Sequence, residues 1–268
     1  DTGDQRSHGF PVVNVSIIAA CALVFLYQVT LASTGTACVA EMAGQRGAAS
    51  AADCFTFTFG MVPVQLTQGI DVPPANLVPA WATIFTSMFM HGGLMHIIGN
   101  MLYLWIFGRQ VETSLGHGRY LVFYLLCGIA AAFAQSVSAP ASTVPMIGAS
   151  GAISGVLGAY LVLCPRANIR VLVFLIFITV IHLPAYIVLG FWFIGQLLSS
   201  AATAAGEAGV AFTAHVGGFI AGALLVFFFR HRHVQVFQPA ASRPFLVQRY
   251  RRGSVPDAGT PWRKGPWG

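Results

Sequence analysis

Charged side chains are scarce in this chain. Only 8% of its 268 residues are Asp, Glu, Lys or Arg, whereas 56% are hydrophobic. A soluble domain carries roughly 25% charged residues, so the composition excludes an ordinary water-soluble protein. Strand-like alternation of apolar and polar residues is also lacking. Helices are therefore the predicted way in which the backbone satisfies its hydrogen bonds in lipid.

What the chain has instead is a set of long apolar runs. A hydrocarbon core of about 30 Å takes roughly 20 helical residues to cross. We therefore predict an all-α polytopic membrane protein with six transmembrane helices. The six charge-free runs that we assign as spans are 11–31, 94–108, 120–137, 150–164, 171–198 and 212–229.

The few charges orient these spans. With six spans, both termini lie on one side; if that side is the cytoplasm, thirteen of the fourteen Lys and Arg lie inside and only Arg46 lies outside. Such a bias predicts cytoplasmic termini, and we expect the bacterial cytoplasmic membrane. The net charge of +6 is then a topology signal, and no nucleic-acid partner is expected. The first apolar run is long and lacks a convincing cleavage site, so no cleavable signal peptide is expected.

Three segments follow from this map. Residues 1–9 form a cytoplasmic N-terminal segment, 10–230 the membrane core, and 231–268 a basic cytoplasmic tail with little regular structure. The tail carries an Arg cluster at 249–252. That cluster fits an ordinary cytoplasmic tail, a contact with anionic headgroups, or a contact with a partner protein in a membrane complex.

Cysteine is rare, with five residues in the chain. Cys38 and Cys54 lie in the large outer loop, residues 32–90, on the side where disulfides persist. A disulfide bond and two free thiols both fit this pair. The other three lie in or at the ends of the spans and are predicted to be packing residues: Cys21, Cys127 and Cys164.

Three polar side chains fall at one predicted depth in spans that run from outside to inside. Each precedes the first Arg after its span by thirteen to sixteen residues, which is about 20 to 24 Å of helix. A core of about 30 Å then places all three roughly 6 to 10 Å below the outer face. These residues are Ser150, His215 and His96.

This constellation is typical of nucleophilic catalysis. Ser150 can attack a carbonyl while His215 takes its proton as general base. His96 and Asn100 are four residues apart on one helical face, so with the Ser150 backbone N–H we predict that they form an oxyanion hole. No acidic residue lies at this level, so the site is a Ser–His dyad without an orienting carboxylate. No metal or other cofactor is expected.

Small residues recur at four-residue spacing in the fourth and sixth predicted spans. Gly151 and Gly155 form one such pair and Gly218 and Gly222 another. Small residues at this spacing let helix backbones approach closely. If the two spans meet along these faces, Ser150 and His215 come within hydrogen-bonding reach.

Three motifs together resemble the rhomboid family of intramembrane serine proteases. They are GASG at 148–151, AHVGGFIAG at 214–222 and MHGGLMHIIGNMLYLWIFG at 90–108. The resemblance covers roughly residues 10–230, in the family's order and topology. It implies a six-helix rhomboid-like bundle that cleaves transmembrane segments of other proteins in the bilayer.

The resemblance also assigns roles. Ser150 is the nucleophile, His215 its base, and His96 and Asn100 the oxyanion donors. Gly148, Gly151 and His91 fall on motif positions that support the site. The fifth span, which we expect to kink at Pro184, and the loop 199–211 resemble the family's lateral gate and its cap.

Two positions depart from the family's pattern. Trp81 is followed by Ala82, where many members have Trp-Arg, and Ser154 stands where some members have an aromatic that stacks on the histidine. Neither change removes a catalytic group. Tyr160 and Trp192 are predicted to be packing or interface residues.

Two other functions were weighed against proteolysis. One is a catalytically silent rhomboid-like protein that binds membrane clients or serves as a subunit of a membrane complex; the intact Ser, His and Asn argue against it. The other is a small transporter with His96 and His215 as a proton relay. Internal repeats and intramembrane carboxylates would favour transport, and the sequence has neither.

Overall fold

The computed structural model describes residues 9–34, 37–42, 45–72, 77–174, 178–202 and 211–239, with side chains described there except at 37–49, 173–174 and 178–179. The protein is mostly helical, as predicted. In chain order the elements are α1 (Val12–Ser33), β1 (Ala37–Met42), β2 (Gln45–Ser50), α2 (Ala51–Phe59), α3 (Pro63–Gln68), α4 (Ala80–Thr86), a 3₁₀ turn (Ser87–Phe89), α5 (Leu94–Tyr103), a π turn (Leu104–Gly108), α6 (Arg109–Leu115), α7 (His117–Ser138), α8 (Ser150–Leu163), β3 (Asn168–Phe174), β4 (Ile178–Pro184), α9 (Ala185–Ala202) and α10 (Phe212–Phe229).

Helices occupy all or part of each predicted span. Within the described residues, four of them are long and apolar enough to cross a membrane: α1, α7, α9 and α10. The second span is one continuous helical run formed by α5, the π turn and α6. The fourth span, α8, has only 14 residues, about 21 Å of helix, which is shorter than the hydrocarbon core.

The prediction of a single kinked helix over 171–198 is wrong in its first half. β3 and β4 form an antiparallel hairpin there, with Asn168 opposite Pro184. The hairpin is rich in Ile and Val, whose branched side chains favour strands over helices. Pro184 lacks a backbone N–H and ends the strand, so α9 begins directly after it instead of kinking around it.

α8 lies at the centre of the bundle. Every residue from Gly151 to Tyr160 is buried, because α7 and α10 both pack along this helix. Tyr160 packs edge-on against Phe107, with ring centroids 4.9 Å apart, and so is a packing residue as predicted. The three cysteines predicted to be packing residues are buried free thiols: Cys21, Cys127 and Cys164.

The outer loop, residues 32–90, contains regular secondary structure. It contains the β1–β2 hairpin and three short helices, and α2 begins with a capping box formed by Ser50 and Asp53. Met61 pairs through its backbone with Met146, just before α8. The loop therefore helps to hold the segment that leads into Ser150.

Some sequence predictions fall outside the described residues. Cys54 is disulfide-bonded, which excludes the alternative of a free thiol at this position, whereas the side chain of Cys38 lies outside the described residues. Also outside the described residues are 1–8, 203–210 of the predicted cap and 240–268 of the predicted tail.

Candidate active site

α8 and α10 touch through their backbones along the predicted small-residue faces. A Cβ on Gly222 would overlap the backbone of Gly155, and one on Gly218 would overlap the carbonyl oxygen of Gly151. A Cβ on Gly151 would lie 2.6 Å from Cβ of Ala131 on α7. Glycine is therefore required at these positions, because any side chain would force the helices apart.

This close approach brings Ser150 and His215 together. Ser150 is the first residue of α8, and His215 lies in the first turn of α10. The distance between His215 Nε2 and Ser150 Oγ is 2.8 Å, and His215 is only 9% exposed. A histidine nitrogen at this distance can take the serine proton as the hydroxyl attacks.

His96 and Asn100 lie one turn apart on α5 and face the same space. The Gly92 backbone N–H donates to His96 Nδ1 over 3.3 Å, so in this arrangement Nε2 carries the hydrogen. The Asn100 side chain is buried, and its amide nitrogen has no hydrogen-bond partner within the described part of the chain. Both groups are therefore available as donors to a ligand.

Gly148 lies beside both His96 and Ser150. Its φ of +125° is strained for any residue with a side chain, and a Cβ here would lie 2.8 Å from His96 Nε2. Its backbone N–H donates to the Ser87 carbonyl oxygen over 2.9 Å, which anchors the turn that leads into α8. Local geometry therefore requires the glycine that begins the GASG motif.

The four polar residues share one cavity of about 990 Å³. Ser150, His215, His96 and Asn100 all line it, and most of the remaining lining is apolar. A cavity of this size accommodates several residues of a peptide. Within the part of the chain that the structure describes, no group of three or more His, Cys, Asp or Glu residues is arranged to hold a metal ion.

His91 lies behind the cavity and does not line it. It is 2% exposed, and its ring meets the edge of the His96 ring at a centroid distance of 5.2 Å. Its backbone N–H donates to Gln28 Oε1 over 3.0 Å, which ties this turn to α1. Burial, with a smaller contribution from His96, lowers the pKa of His91 to about 4, so this ring before α5 is neutral at pH 7.

Two contacts to His215 were missed in the sequence. Gln196 Oε1 lies 2.6 Å from His215 Nδ1, and the Trp192 ring lies 6.1 Å from the imidazole at an angle of 37°. Ser154, at the position where some family members have an aromatic, does not stack on the histidine; its hydroxyl donates to the Ser150 carbonyl oxygen. The available signal was a polar stripe on one face of an otherwise apolar helix, with Trp192, Gln196 and Ser200 at four-residue spacing.

Comparison with known proteins identifies the family. A family model described as the Rhomboid domain matches residues 79–232, more than half of the chain. The chain is 43% identical over 81 residues to a protein of Bacillus subtilis named rhomboid protease GluP, a match covering 30% of this chain and 15% of that protein.

Two further relatives are mitochondrial. Rhomboid protein 1 of Saccharomyces cerevisiae is 34% identical over 157 residues, which is 56% of this chain and 42% of that protein. The presenilin-associated rhomboid-like protein of Bos taurus is 32% identical over 127 residues, 46% of this chain and 33% of that protein. The matches thus span less than half the length of these relatives. With four apolar helices long enough to cross a bilayer and a matching domain over most of its core, the chain is an integral membrane protein that belongs to the rhomboid family.

Proposed function

We propose that this protein is an intramembrane serine protease that cleaves transmembrane segments of other membrane proteins. The observation that carries the proposal is the 2.8 Å distance between His215 Nε2 and Ser150 Oγ, at one end of a largely apolar cavity. The name of the Bacillus subtilis relative, a rhomboid protease, agrees with this activity.

The mechanism proceeds through an acyl-enzyme. Ser150 Oγ attacks the carbonyl carbon of the scissile peptide as His215 Nε2 takes the hydroxyl proton. His215 then returns that proton to the leaving amine, and the acyl group remains on Ser150. Water attacks the ester while His215 again accepts a proton, which releases the carboxylate product and restores the serine.

The oxyanion of each tetrahedral intermediate requires donors. The Asn100 amide nitrogen has no acceptor within the described residues, His96 Nε2 carries the hydrogen of its ring, and both residues line the cavity. The Ser150 backbone N–H lies at the start of α8, where the first N–H groups of a helix have no intrahelical acceptor. These three groups support an oxyanion hole.

The substrate class follows from where the cavity lies. Residues of the membrane-crossing helices α7, α9 and α10 contribute to its lining, so we infer that a substrate in the bilayer reaches it between helices. α9 buries the smallest share of its residues among the four membrane-crossing helices, which makes it the helix that can move at the lowest cost in contacts. We infer that a substrate helix enters past α9 and unwinds before cleavage.

The membrane and its partners are also inferred. The positive-inside pattern supports cytoplasmic termini, with the bacterial cytoplasmic membrane as the location we propose. Relatives in mitochondria and chloroplasts mean that the family alone does not select this membrane. The proposed partners are transmembrane substrate proteins, the bilayer and, through the basic tail, a membrane complex.

The first test is labelling of the purified protein in detergent with a fluorophosphonate probe. We expect wild type to be labelled, and Ser150→Ala and His215→Ala to show neither labelling nor cleavage of a transmembrane substrate, because each variant removes one member of the pair. Ser136→Ala is the matched control, since Ser136 is a buried serine on α7 that does not line the cavity. It should label like wild type.

Two results would contradict the proposal. Cleavage by purified Ser150→Ala at the wild-type rate would mean that another group carries out the reaction. Absence of labelling in wild type that is folded, as shown by a cooperative thermal unfolding transition, would favour a catalytically silent, client-binding protein. Circular dichroism of each variant shows whether a lost signal reflects lost chemistry or a lost fold.

A further inference from the structure

One face of α9 meets the start of α10 at three points. The Trp192 ring lies over His215, Gln196 reaches its Nδ1 atom, and the Ser200 hydroxyl lies 2.8 Å from that of Thr213. The α9 residues are four apart, so they form one stripe along the helix. α9 therefore contacts the imidazole on the side that faces away from Ser150.

We propose that Gln196 is a positioning residue for the reaction proposed above: its side-chain oxygen holds His215 in the tautomer that carries hydrogen on Nδ1 and presents the Nε2 lone pair to Ser150. This inference rests on the proposed protease function. It adds an uncharged third group, Gln196, to the Ser150–His215 dyad that the sequence predicted to lack an orienting carboxylate.

The chemistry of imidazole is the basis of the proposal. A neutral histidine has one N–H donor and one acceptor nitrogen, and its hydrogen-bond partners decide which nitrogen carries the hydrogen. Gln196 Oε1 lies 2.6 Å from Nδ1, and a carbonyl oxygen can only accept. Nδ1 is then the donor, and Nε2 is left as the acceptor 2.8 Å from the Ser150 hydroxyl.

The site explains why the third group is an amide. His215 and Gln196 lie in membrane-spanning helices, and His215 is almost fully buried. An ionised carboxylate is costly within a membrane, whereas an amide supplies an accepting oxygen without charge. The described residues place no Asp or Glu in the lining of the cavity.

Trp192 restricts the same imidazole in a second way. Its ring packs against both His215 and Phe219 of α10, with centroids 6.1 and 5.9 Å away. α8 offers no aromatic side chain at position 154, where a serine bonds to its own helix instead. The hydrogen bond fixes the tautomer and the indole limits rotation of the ring, so both constraints on the histidine come from α9.

The test compares Gln196→Met with Gln196→Glu. Methionine has a similar length but no comparable acceptor, whereas glutamate keeps an accepting oxygen at the same reach when it is ionised. All variants are therefore compared at a pH high enough to ionise this carboxyl despite the cost of a charge within the membrane. The matched control is Leu198→Met, which places the same side chain two residues further along α9 at a position that is 67% exposed. The proteins are used as full chains in detergent micelles.

The decisive readout is the tautomer of His215, measured by ¹⁵N NMR of histidine-labelled protein, with the signal assigned by its loss in His215→Ala. We expect wild type, Leu198→Met and Gln196→Glu to carry hydrogen on Nδ1. Gln196→Met should give a mixture of tautomers. A packing role alone would leave the tautomer unchanged.

Kinetics with a transmembrane substrate give the second readout. Gln196→Met should lower kcat by about ten- to a hundredfold with little change in KM, because fewer molecules have a free Nε2 lone pair and the imidazole is no longer held in its orientation toward Ser150. Gln196→Glu should recover most of that loss. Wild-type tautomer and kcat in Gln196→Met, or equal losses in the Met and Glu variants, would overturn the proposal.

The two proposals fail separately. The tautomer can be measured in Ser150→Ala, where no reaction occurs, so it tests Gln196 without requiring activity. A wild type that carries hydrogen on Nδ1 but never reacts with a fluorophosphonate would refute the protease function alone. A reactive wild type whose tautomer is indifferent to Gln196 would refute the positioning role alone.

Discussion

Asn100 combines a buried, unsatisfied donor with a position in the cavity lining. Its side chain is buried, and its amide nitrogen has no acceptor within the described residues, although it borders the cavity. A buried polar group without a partner costs free energy, which a folded protein rarely accepts without a functional reason. An oxyanion that forms beside Ser150 would satisfy this donor.

We therefore predict that Asn100→Leu lowers kcat for cleavage by about a hundred- to a thousandfold, the usual effect of losing one oxyanion donor. The thermal unfolding temperature should not fall, because the variant removes an unsatisfied donor and keeps a similar volume. Steady-state kinetics and a melting curve check both parts. Met101→Leu, at the next position of α5 and outside the cavity lining, is the control. Wild-type kcat in Asn100→Leu would remove Asn100 from the oxyanion hole.

At the scale of the elements, helix contacts explain the distribution of small residues. The fourth and sixth spans carry their glycines where a Cβ would collide with backbone or side-chain atoms of a neighbouring helix. α9, by contrast, has Gly190 and Gly195, and a Cβ at either would meet nothing within 4 Å among the described atoms. Glycine is thus a structural requirement in α10 but not in α9.

This difference gives a paired prediction. Gly222→Ala should separate α8 from α10, because the new methyl group overlaps the Gly155 backbone. Its unfolding temperature should fall, and fluorophosphonate labelling should weaken as His215 moves away from Ser150. Gly190→Ala should unfold at the wild-type temperature or slightly above it, since alanine favours helix over glycine by about 1 kcal/mol. Equal melting temperatures for the two variants would contradict the backbone contact.

The π turn shows a second contact between elements that the apolar pattern does not reveal. Asn14 of α1 donates from its side chain to the Leu104 carbonyl oxygen, at the start of the turn, and accepts from the Tyr120 hydroxyl. A Cβ on Gly108 would overlap the Asn14 amide. One buried amide therefore joins α1, the π turn and α7.

At the scale of the whole molecule, the proposed cytoplasmic ends of the helices are tied together by hydrogen bonds. The buried Glu112 carboxylate accepts from the backbone N–H groups of Val13 and Asn14, at the start of α1. After α10 the chain turns back, and the Phe237 and Gln238 N–H groups donate to the carbonyl oxygens of Val162 and Leu163, at the end of α8. The last carbonyls of a helix otherwise lack partners.

This return segment, residues 231–239, is predicted to stabilise the fold. Phe237 has a φ of +55° and donates its N–H, so Phe237→Pro should be destabilising, because proline requires a φ near −65° and has no N–H. We expect a loss of about 1 to 3 kcal/mol in the free energy of unfolding. Phe237→Gly should be close to neutral, because glycine favours this φ and the replaced ring is 59% exposed. Thermal unfolding in detergent distinguishes the two variants, and equal effects would argue against the backbone bond.

The sequence by itself determined the class of the protein and most of its spans. Long charge-free runs favour helices in lipid, although the fifth run begins with a hairpin, and small residues at four-residue spacing mark where helices meet, so both features are readable locally. Spacing from the basic residues also predicts that Ser150, His215 and His96 lie at one depth, because a helix rises by a fixed amount per residue.

Only the tertiary structure decided which side chains touch the histidine. Gln196 lies 19 residues before His215 and on a different helix, so its contact depends on how α9 rotates against α10, which no local pattern specifies. The hairpin that replaces the first half of the fifth span was also not read from composition, because an apolar run rich in Ile and Val suits a buried helix as well as a strand. Hydrophobicity fixes which segments lie in the bilayer; packing between them fixes their pairing and their rotation.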